Sequence, residues 1–175
     1  YLNINLKINE ETVLLMAIEK NDIDIVKILS SNKNINLNTR FRSYYGDNTA
    51  LSIAIRNKNI EIVKILSSNQ NIDLNVIFGE YNNEKTALSY AIENNYIDNK
   101  NDIAKILLLN QNLNPDIIIK TDYYNKKTAL SMAIERDNFE LVDSILSMQN
   151  ANQNLEHNVK LIINGKESTV LLMAI

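Results

Sequence analysis

KTALSYAI (85–92), KTALSMAI (127–134) and NTALSIAI (48–55) are one phrase written three times, and TVLLMAI stands at both 12–18 and 169–175. Anchored on the threonine, the copies begin at Thr12, Thr49, Thr86, Thr128 and Thr169, spaced 37, 37, 42 and 41 residues apart. Two positions on, each copy has a leucine: Leu14, Leu51, Leu88, Leu130 and Leu171. Ala17, Ala54, Ala91, Ala133 and Ala174 follow at five, and Ile18, Ile55, Ile92, Ile134 and Ile175 at six. Leucine with alanine and isoleucine three and four residues later forms one stripe of a helix. Threonine just ahead predicts an N-cap in every copy. The small alanine predicts a place where two helices approach closely.

A second apolar block follows a short polar break: IDIVKILSSN (23–32), IEIVKILSSN (60–69), NDIAKILLLN (101–110) and FELVDSILSM (139–148). Ile62, Val63 and Leu66 again have helical spacing, with Glu61 and Lys64 on the other side. Each unit therefore carries two short helices, too short to be stable alone in water and held by stacking on their neighbours. NKNINLN (32–38) and NQNIDLN (69–75) place asparagine just past the second helix, where a left-handed cap is expected. NIDLN itself reads as strand-like. NVIFGEYNNEKT (75–86) and DIIIKTDYYNKKT (116–128) are rich in strand formers around turn residues. In VKLIINGKEST (159–169) the Asn164–Gly165 pair is a favoured hairpin turn. The unit is helix, helix, hairpin, and missing such a period would misread the whole fold.

These units resemble ankyrin repeats. The family phrase T-P-L-H-x-A-A, then V-V-x-L-L-L, then G-A-D-V-N, is matched here by TALSYAI at 86–92, IVKIL at 62–66 and NIDLN at 71–75. The likeness covers essentially the whole chain. Alanine or valine replaces the helix-starting proline, serine or leucine replaces the histidine, and alanine plus isoleucine replaces the paired alanines. The lost proline removes a pre-set φ, and the lost histidine removes a side chain that in the family helps tie successive units. The period exceeds the family's usual value of about 33. Most of the excess falls between the second helix and the next threonine, so long hairpins are predicted. Tetratricopeptide units would need Trp, Gly and Tyr columns, and HEAT-type units lack a hairpin. The resemblance implies an all-α ankyrin-repeat solenoid, helix-turn-helix units joined by β-hairpin loops. Its expected divisions are 1–11 (end of a preceding unit), 12–48, 49–85, 86–127 with an insertion near 97–101, 128–168, and 169–175 as the start of a further unit.

Composition narrows the function. Eighteen basic and 21 acidic residues leave a net charge of −3 and no basic face for nucleic acid. There is no cysteine for a disulfide, a thiolate metal cluster or a nucleophile, and His157 is the one histidine, in the polar stretch QNLEHNVK. Three glycines leave no phosphate-binding loop, and no run is long enough to span a membrane. Thirty asparagines stand against those three glycines, and asparagine tolerates left-handed turns best of the non-glycine residues. No enzyme, cofactor, metal or membrane insertion is expected. The chain opens on Tyr1, which reads as a piece of a longer intracellular, cytoplasmic protein.

Tyrosines recur five residues ahead of the threonine anchor: Tyr44, Tyr81 and Tyr123, with Tyr45 and Tyr124 beside two of them. The resemblance places them on projecting hairpins whose tips help build the family's binding surface. Two roles fit: rings stacked from hairpin to hairpin, or large, fairly rigid contact area for a partner. Arg40, Arg42 and Glu80 would set local polarity there or simply be solvated. The resemblance also puts Lys58, Asn59 and Tyr96 in inter-helix turns at the mouth of a concave groove. These eight residues are the candidate contacts for a protein or peptide partner. The alternatives are a structural spacer in a membrane-associated or cytoskeletal assembly, or the targeting arm of an enzyme.

Overall fold

The computed structural model describes residues 10–43, 46–94, 103–152, 160–163 and 166–169. Among them four helix pairs stack in sequence: α1 (Glu10–Glu19) with α2 (Ile23–Ser31), α3 (Ala50–Arg56) with α4 (Ile60–Ser67), α5 (Ala87–Glu93) with α6 (Ile103–Leu108), and α7 (Ala129–Glu135) with α8 (Phe139–Asn152). Between and after the pairs lie the hairpins β1–β2 (Phe41–Ser43, Gly46–Asn48), β3–β4 (Phe78–Glu80, Asn83–Lys85), β5–β6 (Ile119–Lys120, Lys126–Lys127) and β7–β8 (Lys160–Ile163, Lys166–Thr169). Each is a separate two-stranded antiparallel sheet, in registers that pair Phe41 with Asn48, Phe78 with Lys85, Ile119 with Lys127 and Lys160 with Thr169. The architecture is a solenoid of helix pairs joined by hairpins, as the repeat implies. First helices pack on first helices, second helices on second helices, and each hairpin lies beside the next.

The stripes read from sequence form the core. Leu14, Leu51, Leu88 and Leu130 are buried, as are Ala17, Ala54, Ala91 and Ala133. Burial of this kind stabilises by about 25 cal/mol per Å2 of apolar surface. It is the reason that helices of six to eight residues persist. Threonine caps three of the first helices through a reciprocal box. Ser52 N donates to Thr49 Oγ1 at 3.1 Å while Thr49 N donates to Ser52 Oγ at 2.8 Å. Thr86 with Ser89 and Thr128 with Ser131 repeat it. The serine that stands in the family's histidine position thus closes the helix of its own unit.

Four expectations need correction. Thr12 is not an N-cap: α1 begins at Glu10 and Thr12 lies within it. Its copy has Leu15 where the copies at Thr49, Thr86 and Thr128 have serine, so no such box can form, and Glu11 suits the positive end of the helix dipole. The asparagines after the second helices are not left-handed either, since Asn32 has φ −77° and ψ 115°. Among the described residues, left-handed non-glycine backbone occurs one turn earlier, between the paired helices, at Asn21, Lys58 and Asp137 (φ 61°, 56° and 52°). NIDLN is not a strand but a run of turns. The predicted long hairpins are short, with two to four residues per strand. The chain between α4 and β3 is instead wound into side-chain-capped turns, where Asn71 N donates to Asn69 Oδ1 and Asn75 N to Asp73 Oδ1, both at 2.9 Å. Asparagine is chosen there for its side-chain oxygen rather than for its tolerance of positive φ.

The same asparagines also tie the units together. Asn69 Nδ2 donates to Ser30 O at 2.6 Å and Asn110 Nδ2 to Ser67 O at 2.7 Å, each reaching back to the previous second helix. Asn38 Nδ2 donates to Asn71 O at 2.9 Å while Asp73 N donates to Asn38 Oδ1 at 2.7 Å. One unit on, Asn75 Nδ2 donates to Asn112 O at 2.8 Å and Asn114 N to Asn75 Oδ1 at 2.7 Å. In the fourth unit Met148 occupies the place of Asn69 and Asn110, and α8 runs on to Asn152 instead of stopping. The link assigned to histidine in the family is carried here by amide side chains in the loops.

Candidate functional site

The hairpins project in a row ahead of the first helices, and their bases are pinned. Phe78 is buried at the foot of β3 and meets Tyr90 of α5 edge-on, with ring centroids 5.7 Å apart at 89°. Gly79 permits the strand's path, because its φ is +98° and an added Cβ would lie 2.3 Å from Asn83 O. Lys85 pairs with Glu93 and stands 5.6 Å from the Tyr90 ring centre. Lys127 repeats the ion pair with Glu135 at 2.5 Å. Burial raises the Tyr90 hydroxyl pKa, with Glu93 adding to the rise and Arg56 opposing it. Tyr90 is therefore an uncharged part of the inner wall at neutral pH.

The tips carry the exposed aromatic surface. Tyr81 lies in the two-residue connection of β3–β4 and is 74% exposed. Tyr123 and Tyr124 cap the β5–β6 hairpin at 74% and 82%, T-shaped to one another with centroids 5.1 Å apart. Asp122 holds that loop, accepting from Tyr124 N and Asn125 N at 2.9 Å and from Asn125 Nδ2 at 2.7 Å. Its carboxyl pKa is lowered, first by the Asn125 side chain and then by the Tyr124 amide. Hairpin meets hairpin through Lys120. Its amide donates to Glu84 Oε2 at 2.9 Å and its ammonium lies 5.1 Å from the Tyr81 ring centre. No ring pair joins Tyr81 to Tyr123 among the described residues; a cation occupies the face of Tyr81 that a ladder would have used.

Lys58 and Asn59 sit at the other end of the first helix. A seven-residue helix separates hairpin from turn by about 10 Å. Lys58 is exposed in the left-handed turn, while Asn59 Oδ1 accepts from Ile62 N at 3.0 Å and caps α4. Asp22 and Asn138 do the same for α2 and α8. Glu19, Asn21, Asn57, Lys58, Asn59 and Ile60 line an open depression of about 550 Å3. Tyr44, Tyr45 and Tyr96 lie outside the described residues, as do the insertion near 97–101, the Asn164–Gly165 turn and His157. Sequence reasoning missed Lys120, which lies over Tyr81, and Phe78, which anchors the base of its hairpin. Phe41, Phe78 and Ile119 form an apolar column at the start of the first three hairpins that could have pointed to their bases.

Among the described residues, no group of three His, Cys, Asp or Glu could hold a metal ion, and no helix is long and apolar enough to cross a membrane. What fold and surface define is a helical repeat solenoid with a hairpin-edged, aromatic-tipped flank. Residues 2–78 match the family model for ankyrin repeats (3 copies). The chain is similar to an ankyrin repeat domain from Acinetobacter baumannii AYE, solved by crystallography at 1.00 Å. The two are 26% identical, with a TM-score of 0.54 over 79% of this chain and 62% of that one. This chain thus spans under two thirds of the length of that domain. No curated protein matches it. The chain has the ankyrin-repeat fold, and its residues 2–78 match the family by sequence; ankyrin repeats serve in general as protein-interaction modules.

Proposed function

We propose that this segment is a non-catalytic protein-interaction module of a larger intracellular protein, which holds a protein or peptide partner across the hairpin tips and the first helices. The observation that supports it is the row of tyrosines at the tips, exposed by about three quarters on hairpins whose bases are buried and ion-paired. Tyrosine offers large contact area with little rotamer freedom to lose, so it suits recognition more than a merely solvated edge. Lys120 over Tyr81 and Asp122 within its turn hold two of the tips in place before any partner arrives. Pre-ordering of this kind lowers the entropic cost of binding. Lys58 would extend the footprint to the groove mouth, whereas Asn59 acts mainly as a cap.

The test is a comparative capture. Wild type and a triple variant with Tyr81, Tyr123 and Tyr124 changed to Ala are immobilised, with the fold checked by circular dichroism. Loss of about tenfold or more in affinity for the captured partner is expected, since aromatic hot spots contribute about 2 kcal/mol or more each. Equal capture by a folded triple variant would sink the proposal.

A further inference from the structure

Two columns on the first helices neutralise each other everywhere in the middle of the array but at one place. The residue just after the stripe isoleucine is Glu19, Arg56, Glu93 and Glu135, and the residue just ahead of the threonine is Glu11, Asn48, Lys85 and Lys127. At α5 and α7 the columns pair, Lys85 with Glu93 and Lys127 with Glu135. At α3 both members change. Asn48 is neutral and buried, and its Nδ2 donates to Gly46 O at 2.9 Å. Arg56 ends α3 as an exposed cation and enters none of the ion pairs formed among the described residues.

The next first helix supplies a hydroxyl near it. Tyr90 of α5 takes the position of Ile53 and Met132, which are buried, and is itself half-buried. Burial is the largest influence on its hydroxyl and raises the pKa; the charge of Arg56 comes next and pulls it down. The phenol is therefore a neutral donor within electrostatic reach of the guanidinium. Phe78, edge-on to the ring, and Lys85 keep it in place.

We propose that Arg56 and Tyr90 form a subsite for a carboxylate side chain, an aspartate or glutamate of a partner segment laid across the first helices. The subsite rests on the reading of that surface as the partner's contact and gives the partner a chemistry. A guanidinium fork meets a carboxylate in two parallel hydrogen bonds, and the phenol offers a further donor. Glu19 and Glu93 stand in the same column on α1 and α5, the helices that pack on α3. Packed helices lie about 8–10 Å apart, so the two glutamates flank Arg56. The one positive charge matches a single carboxylate, whereas the second charge of a phosphate would be uncompensated.

The test is an NMR titration of the 175-residue chain, read at the arginine Nε signals. The probe is N-acetyl-glutamic acid N-methylamide, whose one charge is the side-chain carboxylate. Arg40, exposed ahead of β1, reports how a solvated arginine responds. Arg56 should saturate at a probe concentration about fivefold below that of Arg40, the effect of one further hydrogen bond. Tyr90→Phe keeps the ring and loses the hydroxyl, so it should bring Arg56 to the level of Arg40. The neutral glutamine analogue should move neither signal, and methyl phosphate should bind Arg56 more weakly than the probe. The titration needs no partner, so it can fail while the tyrosine tips still capture one, and succeed while the tyrosine variants capture equally. Equal saturation at Arg56 and Arg40, an equal response to the glutamine analogue, no change in Tyr90→Phe, or methyl phosphate bound as tightly would overturn the proposal.

Discussion

Asn75→Ala tests whether loop asparagines hold the array together. Asn75 Nδ2 donates to Asn112 O at 2.8 Å and Asn75 Oδ1 accepts from Asn114 N at 2.7 Å, so one side chain makes two hydrogen bonds across a unit junction. A typical hydrogen bond contributes about 1 kcal/mol net. Both bonds are exposed, so water recovers part of the loss when the amide is removed. The expected destabilisation is about 1–2 kcal/mol. With a urea slope of roughly 2 kcal/mol per molar, the midpoint should fall by about 0.5–1 M. The array is quasi-one-dimensional and this junction lies in its middle, so coupling between its halves should weaken as well. The transition should broaden, and amides of the first two units should exchange at rates different from those of the last two. Asn82→Ala, at an exposed hairpin tip, is the control and should shift stability by less than about 0.5 kcal/mol. An Asn75→Ala midpoint and slope equal to those of the control would refute the reasoning.

Ser89→Ala removes the buried hydroxyl that accepts from Thr86 N, leaving that donor without its partner. A loss of about 1–3 kcal/mol is expected by thermal melting. Gly79→Ala forces a side chain into φ +98° and against Asn83 O, and the cost of about 1–3 kcal/mol should fall on the β3–β4 hairpin. Its cross-strand amide signals in NMR should be lost while those of α7 and α8 persist. Asp122 has a folded pKa below its unfolded one, so its contribution is fully present above the unfolded value of about 3.9 and is lost as pH falls through the folded one. Tyr124 and Asn125 amides should report a midpoint below about 3.9; a midpoint at or above it would contradict the turn geometry.

The helix stripes were legible because their signal is local. Leu51, Ala54 and Ile55 declare a helix face within five residues, and Thr49 declares where it starts. The hairpins were legible in position but not in length, because the added residues went into turns that asparagine and aspartate side chains close. Thr12 shows the limit of a column: it aligns with the other threonines, yet Leu15 denies it the serine that the cap needs. Of the candidate contacts, Tyr81, Tyr123, Tyr124 and Lys58 are exposed as a surface residue must be, and Asn59 is engaged in capping.

By itself the sequence determined the unit, its period, its two helices and its hairpin, since each follows from neighbours within a few residues. Only the tertiary structure decided which asparagines are bonded across the stack and which cation covers Tyr81. Those pairings join residues 33 to 43 apart, as Asn38 with Asn71 and Asn110 with Ser67. Asn38 and Asn82 are the same letter in the chain. The unit stacked behind Asn38 supplies the carbonyl and amide that its side chain bonds, while Asn82 lies exposed at a hairpin tip.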